Sequence, residues 1–185
     1  MSLSEALIEY ASPTLAGIKV CSLFAFIPQD PAAFREEAEA FNRSVLGKGL
    51  QLLVIPSPRP GRLLCYLYRT AGIHDLLAQT DICAFLARQG YRTRSSSYIF
   101  ATLLERLSCQ ACFPHEVGLF LGYPLSDVEA FIANAGQNSV CCGCWKAYGN
   151  QQDAQAQFDR CRRCTEHFRA LYRQGASILN LAVAA

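Results

Sequence analysis

Ten cysteines in 185 residues are the most reactive side chains this sequence holds. Cys109-x-x-Cys112 and Cys161-x-x-Cys164 have the spacing at which two thiolates share a zinc ion. Cys141-Cys142-Gly143-Cys144 adds three more sulfurs, and His115 and His167 lie close to the pairs in sequence. Residues at i and i+3 share one helix face, so Cys161 and Cys164 can grip one ion together. Four soft sulfurs select zinc or an iron–sulfur cluster. The candidate ligands are therefore Cys109, Cys112, Cys161 and Cys164, with His115 as a substitute. Two facts weigh on the other side. Residues 113–160 separate the pairs, far more than in compact zinc modules. Free cysteine is also among the most buried residue types and often simply fills core.

Three other constellations can do chemistry. His115-Glu116 follows Pro114 at a helix start, where the two side chains can do acid–base work or hold a metal. The plainer reading has Glu116 interacting with the helix N-terminus and His115 making one structural hydrogen bond. Trp145-Lys146-x-Tyr148 sets a lysine between aromatics, a pattern that suits an anionic or planar ligand. Its plainer reading is an edge strand whose Trp145 packs on the last long helix. His115, Glu116, Lys146 and Tyr148 together form the candidate catalytic set. The segment Glu116–Ile132 resembles a helix-turn-helix, with Gly122 in the turn and Val128 and Ile132 facing inward. Its second helix offers Ser126, Asp127 and Glu129 to a phosphate backbone that requires cations, so the charges argue against nucleic acid.

The elements that must position these groups follow from capping and periodicity. Ser2-x-x-Glu5 is a capping box opening a short helix to about Tyr10, after which Pro13 and Gly17 break the pattern. Lys19–Phe26 reads as a strand buried on both faces. Asp30 caps a helix with Pro31 at its first position, running to about Val45. Leu50–Ile55 and Arg62–Arg69 form a hairpin around Pro56-Ser57-Pro58-Arg59-Pro60-Gly61. Helices are expected at about 73–79, 80–89, 96–108, 114–122 and 125–135. A last short strand follows at Val140–Tyr148. A long helix at Gln151–Gln174 is ended by Gly175, and Ser177 caps a final turn. The sum is an α+β fold: a small mixed sheet of about four strands packed against several helices. It forms one domain over 1–185, with a strand and hairpin half at about 1–72 and a helical half with the last strand at about 73–185. The loop at 90–97 is the best candidate for a boundary.

Composition bounds the function. Charged residues make up 17% and apolar residues 51%, so surface buried in a homo-oligomer is in keeping with the sequence. Net charge is +2, which gives no general electrostatic case for nucleic acid or an anionic membrane. Basic residues cluster at Arg92, Arg94, Arg160, Arg162, Arg163, Arg169 and Arg173; on the last long helix these mostly form a solvated face with Asp159 and Glu166, and a site for a protein partner or acidic ligand is the alternative. No apolar run reaches the roughly 18 residues of a membrane span, and the N-terminus lacks signal-peptide character. A cytoplasmic location is expected, with the cysteines as thiols or metal ligands.

Three segments together resemble a bacterial family known as domain of unknown function 3793. They are Pro13–Lys19, Phe113-Pro114-His115-Glu116 through Tyr123-Pro124-Leu125, and Gly143–Gly149 with a following helix that carries Cys164-Thr165-Glu166. The resemblance covers essentially the whole chain. It implies a single-domain cytosolic protein, mostly of anaerobic Gram-positive bacteria, with no established activity. Ala147 stands where the family more often has valine, and Cys109, Cys141 and Cys161 are not fixed features of its pattern. The expected function is a non-catalytic binding or accessory protein, linked to metal or redox handling through its thiols. The alternatives are an enzyme at the His115 set and a helix-turn-helix regulator.

Overall fold

A computed structural model describes residues 1–109 and 113–184. Helix α1 spans Leu3–Leu15 and opens on the Ser2/Glu5 capping box, in which Ser2 N donates to Glu5 Oε2 at 2.7 Å. It runs past Tyr10 and takes in Pro13. Buried positions lie all along it, so packing outweighs the amide that proline lacks. Ser12 Oγ donates to Ile8 O at 2.5 Å just ahead of that residue.

Strand β1, Cys21–Phe26, leads through the turn at Asp30 into α2, Pro31–Val45. Asp30 accepts from Ala32 N and Ala33 N, as its N-cap position requires. A single 3-10 turn ends at Gly49 (φ 65°), a left-handed position that suits glycine. Strands β2, Leu50–Pro56, and β3, Leu63–Arg69, then form the hairpin. The order β1-β3-β2 puts the hairpin's second strand in the centre. All pairings are antiparallel, with Phe24 and Val54 flanking Cys65. Among the described residues the main sheet thus has three strands rather than about four, and it is antiparallel rather than mixed. β1 is an edge strand whose apolar run is covered by helices rather than by a second neighbour.

The period-2 alternation of β3 divides the interior. Leu63, Cys65 and Leu67 face one core with α1, α2 and the C-terminal helices. Leu64 and Tyr66 face a second core built from the middle helices. Those are α3 (Thr70–Leu77), α4 (Thr80–Arg88), α5 (Ser96–Ser108), the single turn α6 (Val117–Phe120) and α7 (Leu125–Ala133). The last strand expected at Val140–Tyr148 is instead a tight ribbon, β4 (Cys141–Cys142) and β5 (Lys146–Ala147), separate from the main sheet. It lies on α8, Gln151–Arg173, which packs along α1. The chain closes with α9, Ile178–Leu181.

Two polar devices hold the periphery. Arg69 is buried and donates to Thr14 O, Leu15 O and Val183 O at 2.8–3.0 Å, tying the end of α1, the central strand and the C-terminal segment together. Its burial lowers the guanidinium pKa. Asn42, on α2, meets the outer side of β2 with both ends of its amide: Leu52 N donates to Oδ1 at 2.7 Å and Nδ2 donates to Leu52 O at 2.8 Å. Among the described residues no helix is long and apolar enough to cross a membrane.

Candidate functional site

Asp127 is the organising residue, and sequence reasoning missed its role. It sits in the first turn of α7, only 5% exposed, and its two oxygens take three donors. The Trp145 indole Nε1 donates to Oδ2 at 2.7 Å; Tyr148 N and Gly149 N donate to Oδ1 at 2.9 and 3.0 Å. A buried carboxylate so satisfied fixes the ribbon on α7. Trp145 then stacks on Tyr123 (centroids 5.0 Å, 25°) and meets Phe158 of α8 edge-on (4.6 Å, 77°). Gly143, in the ribbon's turn, lies against the Phe158 ring: a Cβ there would come within 2.3 Å of it. Only glycine lets the turn approach α8 this closely.

This approach brings Cys144 and Cys161 to one cleft. Phe158 and Cys161 are three residues apart on α8 and share a face, so the turn that sets Gly143 against Phe158 sets Cys144 on the side of α8 that carries Cys161. The neighbouring Cys161 thiol, aided by the Lys19 ammonium, lowers the Cys144 pKa to about 6, while Cys144 and burial push Cys161 up. Lys19 Nζ stands 5.3 Å from the Tyr123 ring centroid. Tyr123 Oη donates to Cys144 O at 2.8 Å, and the Tyr123 phenol is pushed up by burial and by the Cys144 charge. Cys144 is exposed and Cys161 is buried. Both line a cleft of about 490 Å³, with Lys19, Ser22, Arg162 and Thr165 among its polar groups.

The opposite side of the turn lines a second cleft of about 290 Å³. Its walls are Trp145, Tyr123, Phe131, Val128 and Gly118, with His115 and Lys146 among the polar groups. The His115 ring lies 5.2 Å from that of Phe131, and Lys146 Nζ donates to Gly136 O at 2.8 Å. Of the candidate catalytic set, the structure thus brings His115 and Lys146 to one cleft. Glu116 is elsewhere: 5% exposed, it accepts from Tyr91 Oη at 2.9 Å and Arg106 Nη1 at 2.5 Å. Its partners are side chains rather than the helix N-terminus. The Tyr148 hydroxyl is buried and, among the described residues, meets no hydrogen-bond partner; Tyr148 does not line the cleft.

Cys161 and Cys164 share α8, where burial raises the Cys164 pKa. Cys109 follows α5 and opens on a groove with Arg59, Arg62 and Phe113. Cys112 falls outside the described residues. Among those described, no group of three or more His, Cys, Asp or Glu side chains is placed to hold a metal ion. Cys21 and Cys65 are core thiols, each pushed up to about 12 by burial. The helix pair read as a helix-turn-helix consists of one buried turn, α6, and α7, whose Asp127 points inward to the ribbon.

No curated protein and no solved structure matches this chain. One family model does match, over residues 7–182, a span that holds the sheet, α7, the ribbon and α8 with both clefts between them; by that match the chain belongs to the family described as Protein of unknown function (DUF3793).

Proposed function

We propose that this protein is a redox-linked accessory protein that works through a reversible disulfide between Cys144 and Cys161. The observation that carries the reading is the placement of an exposed Cys144 and a buried Cys161 in the lining of one cleft with Lys19. A thiolate held next to a thiol and a cation is the arrangement of a reactive dithiol. The co-reactant is a low-molecular-weight disulfide, R–S–S–R′. The Cys144 thiolate attacks one of its sulfurs, forming Cys144–S–S–R and releasing R′S⁻. Cys161 gives its proton to R′S⁻, and its thiolate attacks Cys144 Sγ. The Cys144–Cys161 disulfide forms and RS⁻ leaves. The protein loses two electrons and the substrate disulfide gains them. A reducing cytoplasm would return the pair to the dithiol.

Peptide mapping by mass spectrometry after exposure to oxidised glutathione tests this. The expected product is a Cys144–Cys161 crosslink in the parent and a trapped glutathione adduct on Cys144 in Cys161→Ser. Modification confined to other thiols, such as the exposed Cys109 and Cys142, would end the reading.

A further inference from the structure

The aromatic cleft on the far side of the ribbon turn has no part in that chemistry, since neither Cys144 nor Cys161 lines it. Its shape is fixed in advance. Trp145 is held by Asp127, by the Tyr123 face and by the Phe158 edge, so the largest wall cannot swing away. Gly118 keeps the opposite side flat: a Cβ there would come within 2.9 Å of Val128 and 3.2 Å of Tyr123. A volume of about 290 Å³ lies at the small end for ligand sites. It suits one ring with a short substituent and excludes a nucleotide or a peptide.

The charges around the cleft select the substituent. Lys146 is exposed and directs one N–H to Gly136 O, which leaves two of its three donors for a ligand. The exposed His115 brings an imidazole beside Phe131. The one carboxylate in the lining is Asp127, and both its oxygens are occupied by Trp145, Tyr148 and Gly149. A ligand therefore meets aromatic walls and cationic or neutral donors, and the one lining carboxylate among the described residues is engaged by the ribbon. We infer that this cleft binds a small aromatic carboxylate, its ring against Trp145 and Phe131 and its carboxylate on Lys146. An aromatic amine of the same size would set its ammonium against Lys146 and find the Asp127 carboxylate already committed to three donors. The inference is independent of the dithiol reading.

The chain holds one tryptophan, Trp145, and it forms a wall of this cleft, so its emission responds to a ligand bound here. Phenylacetate, 2-phenylethanol and 2-phenylethylammonium present the same ring with negative, neutral and positive ends. Titrating each into the parent protein, read by Trp145 emission and by calorimetry, should give saturable binding of phenylacetate. The alcohol should bind about tenfold more weakly, the cost of one charge-assisted hydrogen bond, and the ammonium more weakly still. Lys146→Gln, a surface change, should reduce phenylacetate to the level of the alcohol, and Lys146→Arg should retain it. Cys144→Ser should leave the titration unchanged. Equal affinity for the three compounds would overturn the inference. So would no effect of Lys146→Gln, or no saturation by phenylacetate at about 10 mM.

Discussion

Alkylation of Cys144 followed against pH should trace a thiolate with a midpoint near 6. The Cys161→Ala protein lacks the neighbouring thiol, so its midpoint should move up toward the ordinary 9.0. At pH 7 the variant's Cys144 should react about tenfold more slowly, because most of it is then protonated. An unchanged profile would mean that Cys161 does not set the acidity of its neighbour. The sequence makes the sulfur inventory plain, but C-x-x-C spacing draws attention to Cys161 with Cys164, whereas the cleft beside α8 is lined by Cys161 and Cys144. The legible signal was a different one. Phe158-x-x-Cys161 on a helix face has Gly143-Cys144 as its counterpart, and a glycine opposite a ring is what allows the close approach. Glu116 was misread for a related reason. Its partners Tyr91 and Arg106 come from separate segments that no local motif connects to it.

The ribbon and α7 depend on Asp127, and its removal tests that element directly. Asp127→Ala leaves the Trp145 indole and two backbone amides without their acceptor. A loss of about 3 kcal/mol is expected, or roughly 6–12 °C in melting temperature for a chain of this size. Trp145 emission should shift to the red as the indole gains water. A variant that melts with the parent and emits at the same wavelength would show that the carboxylate does not hold the ribbon. Elements with local signatures were readable in advance. The Ser2/Glu5 box, the Asp30 cap, the hairpin around its proline-rich turn and α8 ending before Gly175 all stand within a residue or two of expectation. Two elements were not. α1 passes through Pro13 because buried contacts along its length outweigh one missing hydrogen bond. Val140–Tyr148 reads as one strand because its folding back depends on Asp127, 13 residues before Val140 in the chain, and on the close fit of Gly143 to Phe158.

For the molecule as a whole, buried thiols contribute to the alkaline limit, along with the buried phenols of Tyr66, Tyr91 and Tyr123, which burial also pushes up. Cys21 and Cys65 are raised from 9.0 to about 12 by burial, and Cys161 is raised as well. The unfolded chain releases these protons near pH 9, while the folded chain keeps them. Their contribution to stability is therefore full below about 9 and is lost as pH rises toward 12. Melting temperature should fall steadily over that window, and a flat profile would contradict burial of these thiols. The two-core arrangement was legible only in part: alternation along β3 implies two covered faces, but which helices cover each is decided by packing that no local pattern encodes. One consequence concerns crowding. A small sheet with two rims invites identical chains to zip onto it and polymerise. On the β2 side, the Asn42 amide imitates one residue of a phantom neighbouring strand, offering Leu52 the donor and acceptor that another copy would bring. At that rung an incoming chain must first evict a side chain that is already satisfied, so a single asparagine guards this flank against fibre growth.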